Sequence, residues 1–115
     1  MILSPLTRRL RKNYVTLRKL VKPQLREMNL IFDVEANGLL KDVSSIHCVC
    51  IYDIDNDQTS IFNDVGTGEP ITRAVTMLEE AEHVVGHNII NYDLPALKKC
   101  YPFFDFKGQA VDTLI

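Results

Sequence analysis

The stretch Asn29-Leu-Ile-Phe-Asp33-Val-Glu35 decides how the rest of this chain is read. A short apolar run closing in two acids predicts a β-strand. Residues two apart on a strand project from the same face, so Asp33 and Glu35 share one. Two carboxylates on one face repel unless a cation sits between them, and oxygen ligands favour Mg²⁺ or Mn²⁺. Ala36-Asn37-Gly38 follows directly, an opening where a ligand could approach. In open α/β sheets, sites form at the carboxyl ends of strands, which is where this pair stands. Taken alone the D-x-E pattern says little, because nine Asp and six Glu in 115 residues make one such pair close to an even bet.

Outward from that strand the pattern continues. Ile46 to Asp53 is β-branched and aromatic and predicts a second strand. Gln58 to Phe62 returns after an Asp/Asn-rich turn, which makes a hairpin. Gly66, Gly68 and Pro70 mark a loop. Thr72 to Glu82 predicts an amphipathic helix with Ile71, Val75 and Leu78 facing inward. His83-Val-Val-Gly86 predicts a buried strand. Asn91 or Asp93 is expected to cap a helix through Cys100, with Pro95 tolerated in its first turn. Phe106 to Val111 is expected as the last strand, and Asp112-Thr113 reads as a helix cap. The order β-β-β-α-β-α-β predicts an α/β fold: a mixed sheet with an antiparallel hairpin joined to parallel strands.

The second chemical constellation is Gly86-His87-Asn88-Ile-Ile-Asn91-Tyr92-Asp93. A strand ends, a polar loop follows, and Asp93 opens the next helix. From there Asp93 could reach a metal already held by Asp33 and Glu35. The plainer alternative makes Asp93 a helix cap and Asn88 a loop-stabilising residue, each worth about 1 kcal/mol. Asp53-Ile-Asp55-Asn-Asp57 begins like a calcium loop, but Gln58 stands where glycine is needed and Asp64 where glutamate is. It reads as a hairpin turn. Cys48 and Cys50 share one strand face and read as small hydrophobes; His47 and His83 read as structural.

Composition sets the outer bounds. Hydrophobic residues are 46% and charged residues 24%, a globular mix about one domain in size. The longest strongly apolar uncharged run, Ile46 to Tyr52, is seven residues. A bilayer span needs roughly 20, so no membrane partner is expected. Three cysteines with a C-x-C spacing argue against a disulfide framework and for a reducing, cytoplasmic setting.

The net charge of −2 hides an asymmetry. Residues 1–28 hold eight Lys/Arg and one acid, a charge of +7, while residues 29–115 hold five Lys/Arg and fourteen acids, a charge of −9. A boundary near Met28–Asn29 divides a basic extension, 1–28, from the rest. Leu3, Leu6, Leu10, Tyr14, Leu17, Val21, Leu25 and Met28 fall at helical spacing, with Ser4-Pro5 as a start and Pro23 as a stop or kink. Three readings stand for this helix: an apolar stripe docked on the rest with a solvated basic face, a contact to a phosphate backbone, or a membrane-surface or targeting segment.

Together, D-V-E-A-N-G-L-L, I-H-C-V-C-I-Y-D, H-N-x-x-x-Y-D-L-P-A-L and V-D-T-L resemble the exonuclease domain of short-tailed-phage family-A DNA polymerases. The resemblance covers residues 29–115 in order and leaves residues 1–28 outside it. It implies a ribonuclease H-like fold and a DEDD-type 3′→5′ proofreading exonuclease. It implies that Asp33, Glu35 and Asp93 are the catalytic and metal-ligating carboxylates of a site using two Mg²⁺ or Mn²⁺ ions. Asn37, Asn88 and Tyr92 become substrate contacts, DNA with a single-stranded 3′ end the substrate, and the remaining polymerase polypeptide a partner. A phage-encoded chain would work in the host cytoplasm. The family's fourth carboxylate lies in a Y-x-x-x-D motif past the D-T-L block, beyond Ile115. The expectation is therefore the front half of the domain, incomplete at its C-terminus and inactive alone. The alternative is a non-catalytic DNA- or polymerase-binding protein that keeps the exonuclease fold.

Overall fold

Alternation builds the sheet. Along β1 (Asn29–Ala36), Leu30, Phe32 and Val34 are buried while Ile31, Asp33 and Glu35 are exposed. The computed structural model describes residues 28–66 and 68–114. The helix expected within residues 1–28 lies outside them, apart from Met28.

β2 (Ile46–Asp53) and β3 (Gln58–Phe62) form the expected hairpin, with the bounds read from the sequence. Its turn uses the acids as backbone acceptors: Asp53 Oδ1 takes the N–H groups of Asp55 at 3.1 Å and Asn56 at 3.2 Å. Asp57 adopts φ 50°, a left-handed position that Asp tolerates. β4 (His83–Gly86) and β5 (Gln109–Asp112) complete a five-stranded sheet in the order β3-β2-β1-β4-β5. β1, β2 and β3 pair antiparallel; β1 with β4 and β4 with β5 pair parallel. This is the mixed sheet that the sequence predicts.

Helix α1 (Ile71–Glu80) buries Ile71, Ala74, Val75 and Leu78 at steps of three, one and three. It ends two residues short of the expected Glu82. The amides of Glu82 and His83 donate to the Met28 carbonyl at 2.9 and 3.3 Å, which draws the chain into β4 beside β1. The last strand also starts later than expected, at Gln109 rather than Phe106. Gly108 enters it so closely that a Cβ there would stand 2.5 Å from the Ala81 carbonyl oxygen.

α1 and α2 (Leu94–Cys100) both join one buried cluster with Leu30, Phe32, Val34, Val49, Ile51 and Val84. The core thus lies on one side of the sheet. Asp33 and Glu35 stand on the other.

Candidate active site

β1 pairs with β4 only over Asn29–Ile31, so from Phe32 onward its edge on that side opens. Asp93 fills the opening. Its Oδ2 accepts the Val34 N–H at 3.0 Å, with the residue only 4% exposed. The third acid is thereby tied to the backbone midway between Asp33 and Glu35. On the β2 side, Asp33 lies opposite Cys50 and Glu35 opposite Cys48. The register then slips, since Ala36 opposes Ile46 and His47 is the extra residue. Bulges of this kind recur beside functional sites because they re-aim the strand end.

Asp93 reaches Val34 because its helix begins earlier than the sequence suggests. Asn88 adopts a left-handed conformation (φ 60°, ψ 30°), and a π-helical turn, Ile89–Asp93, runs straight into α2. Asp93 is helical and its carboxylate makes no cap bond, which corrects the expected cap at Asn91 or Asp93. Pro95 is nevertheless in the first turn of α2. Gly86 permits the close approach: a Cβ there would lie 2.8 Å from the Phe32 carbonyl oxygen and would collide with Ile89.

Asp112 anchors the turn. Its Oδ1 accepts the Asn88 N–H at 2.7 Å and the Leu114 N–H at 2.9 Å, and its Oδ2 accepts the Ile90 N–H at 3.0 Å. Those N–H groups, Ile90 and Leu114 foremost, hold its carboxyl below the usual carboxylate range. The expected helix cap takes another form: Asp112 ends β5, and among the described residues no helix follows it. The two bonds back to the loop after β4 were not read from the sequence, because they join residues 24 and 22 positions apart.

Burial pushes the Asp93 carboxyl up to about 6, and the negative charges of Asp33 and Asp112 add to the rise. The Val34 N–H opposes it. An acid poised this way gains from a nearby cation, which would favour its ionised form.

The residues around the acids hold the loops. Tyr92 donates its hydroxyl to the Gly38 carbonyl. Lys99 donates to the carbonyls of Leu40 and Lys41, both at 2.9 Å. Asn37 spends its amide inside its own loop, donating to Ser44 Oγ at 2.9 Å and accepting the N–H groups of Ser44 and Ser45.

A model of the RNase_H superfamily matches residues 30–114. The chain belongs to that superfamily. Over 70 residues, or 61% of its length, the chain is 33% identical to the DNA-directed DNA polymerase of Enterobacteria phage T3. Over a stretch of the same length it is 31% identical to that of Escherichia phage T7. It spans 10% of the length of these curated relatives. The likeness to phage DNA polymerases read from the motifs is thus found over 61% of the chain. The fold also resembles a family B DNA polymerase from the archaeon Pyrobaculum calidifontis, with TM-score 0.51, 19% identity, and coverage of 67% of this chain and 11% of that one.

The RNase H domain offers the right donors for a hard divalent ion: carboxylate oxygens on Asp33, Glu35 and Asp93. Asp93 Oδ1 is not engaged by Val34, and its raised proton affinity is what a cation would relieve. Yet among the described residues no three of His, Cys, Asp and Glu close around a point as metal ligands. The donor chemistry fits, but among the described residues these three acids do not close into one ligand group. The domain also contains a Y-x-x-x-D string, Tyr101 to Asp105, in the loop between α2 and β5. Asp105 there pairs with Lys107 at 3.6 Å on an exposed surface, and its N–H donates to Glu79.

Proposed function

We propose that residues 29–115 are the front half of a 3′→5′ proofreading exonuclease domain of a phage-type DNA polymerase, acting on single-stranded 3′ ends. The observation that carries this reading is Asp93 tied to the Val34 amide between Asp33 and Glu35. Asp33, Glu35 and Asp93 would hold Mg²⁺ or Mn²⁺, which when bound supplies the Lewis acidity for phosphodiester hydrolysis. The chain's own part is to hold the acids in register. β1 fixes Asp33 and Glu35 on one face, and the Val34 amide orients Asp93. Tyr92, bonded to Gly38, sets the loop that borders them, and Asn37 shapes the same loop through Ser44 and Ser45. Asn88, whose side chain makes no cap bond at its turn, is the proposed polar contact to the substrate. A body of charge −9 repels a polyanion, so cations at these acids also make DNA contact feasible.

Three of the four DEDD carboxylates are supplied by these residues, so the 115-residue chain should degrade DNA weakly or not at all. The test is Mg²⁺-dependent shortening of a 5′-labelled single strand, with a segment carrying the fourth acid added in trans. Rescue by that segment, lost in Asp33→Ala, supports the reading. Fast degradation by the chain alone, insensitive to Asp33→Ala, overturns it. The remaining polymerase polypeptide is the proposed partner and the host cytoplasm the proposed setting.

A further inference from the structure

Asp33 and Glu35 share their face of the sheet with a second pair of possible ligands. Across the β1–β2 ladder Cys50 stands opposite Asp33 and Cys48 opposite Glu35, and both cysteines are half-buried free thiols. Their sulfurs lie 3.9 Å apart. Two thiolates bound to one ion at about 2.3 Å each stand at most about 4.6 Å apart, so one ion fits between these sulfurs. A disulfide suits them less well. Residues two apart on a strand have Cα atoms roughly 6.6 Å apart, near the upper end of what a disulfide spans. The surroundings also favour a cation: the five strands carry Asp33, Glu35, Asp53 and Asp112 and no Lys or Arg.

We propose that Cys48 and Cys50 form a two-thiolate site for a soft monovalent cation, Cu(I), beside the carboxylates and distinct from them in chemistry. Thiolates select soft ions and carboxylates hard ones, so the two pairs sort cations by ligand atom although they share one face. The number of donors picks the ion. The pair offers two sulfurs, and among the described residues no group of three His, Cys, Asp or Glu closes around a point. Zn²⁺ usually takes three or four protein ligands. Cu(I), a closed-shell soft ion, is satisfied by two thiolates. Binding forms two Cu–S bonds, releases the two thiol protons to solvent and transfers no electron. The inference does not rest on the exonuclease reading, and its test involves no nuclease activity.

The test is a titration of the full chain, reduced and without oxygen, with Cu(I) supplied as its bicinchoninate complex, whose colour falls as the protein takes the ion. The wild type should take one Cu(I) per chain, and millimolar Mg²⁺ should displace none of it. Cys48→Ser and Cys50→Ser should each bind about a hundredfold more weakly, since the second thiolate otherwise adds intramolecularly. Cys100→Ser, at the end of α2 on the helix side of the sheet, should bind as the wild type does. Undiminished binding in the double variant Cys48→Ser/Cys50→Ser overturns the proposal. So does displacement by Mg²⁺, which would put the ion on the carboxylates, or one ion per two chains, which would make it a bridge between copies. If the serine variants do not fold, alkylation of the unsubstituted chain decides instead, read thiol by thiol by mass spectrometry. One equivalent of Cu(I) should then slow the reaction of Cys48 and Cys50 with iodoacetamide and leave the Cys100 rate as it was. Rates at Cys48 and Cys50 that Cu(I) leaves unchanged, or protection centred on Cys100, overturn it.

Discussion

Asp93 and Val34, 59 residues apart, are joined by one hydrogen bond at 3.0 Å from a backbone amide to a buried carboxylate. It closes the gap left where β4 stops pairing with β1, and it sets the third acid between the other two. A lone backbone N–H in that gap would be costly to bury unpaired. Its partner, though, is a carboxylate whose charge is itself costly to bury. Structure and site compete at this bond.

The competition has a pH signature. The Asp93 carboxyl is raised to about 6 in the folded chain, against 3.8 ordinarily. The folded state therefore holds its proton more tightly than the unfolded state, and this group's contribution to stability is full below about pH 4 and lost as pH rises through 6. Urea unfolding from pH 7.5 down to 5 should show stability rising from this term, by on the order of 1–3 kcal/mol in full. Asp93→Asn, which keeps an acceptor for Val34, should flatten that slope and be the more stable protein at pH 7.5. An unchanged slope in Asp93→Asn would assign the pH dependence elsewhere.

A divalent ion should act on the same acids. Millimolar Mn²⁺ should raise the melting temperature, since binding only the folded state stabilises by about 2.7 kcal/mol at 100 times the dissociation constant. The shift should vanish in Asp33→Asn and shrink in Asp93→Asn. Asp55→Asn, in the hairpin turn where Asp55 accepts the Asn29 amide at 3.1 Å, should leave it intact. A shift that follows Asp55 instead would move the ion to the hairpin.

Asp112→Ala removes the acceptor for Asn88, Ile90 and Leu114 at once. The amides of Asn88 and Ile90 should then exchange with solvent faster, while those of β2 keep their protection. The Mn²⁺ shift should weaken as well, although Asp112 is not among the proposed ligands, because Asp93 hangs from the same turn. Unchanged exchange at Asn88 would remove the anchoring role.

Gly86→Ala should be far more disruptive than Gly66→Ala. The added methyl meets the Phe32 carbonyl and the Ile89 side chain, neither of which can retreat without moving β1 or the π-helical turn. A loss of about 1–3 kcal/mol is expected, as for other overpacked positions. Gly66→Ala meets nothing within 4 Å and should cost only the strain of its φ of 67°, about 1 kcal/mol. Comparing the two urea midpoints checks the ranking.

The sequence by itself determined the sheet. The bounds of β2, β3 and β4 agree with the alternation of Ile46–Asp53, the run Gln58–Phe62 and the apolar His83–Gly86. That Asp33 and Glu35 share a face follows from strand geometry alone, because it depends on neighbours two residues apart. What Asp93 does was a matter for the tertiary structure. Locally it resembles a cap, and only the end of the β1–β4 pairing presents a Val34 amide that outcompetes that role. Asp112 likewise reads as a helix cap, while its bonds to Asn88 and Ile90 cross 24 and 22 residues. Periodicity reports which way a side chain points. Which backbone groups are left unpaired, and so which acid is drawn to them, depends on where two strands stop running together, and no local pattern encodes that.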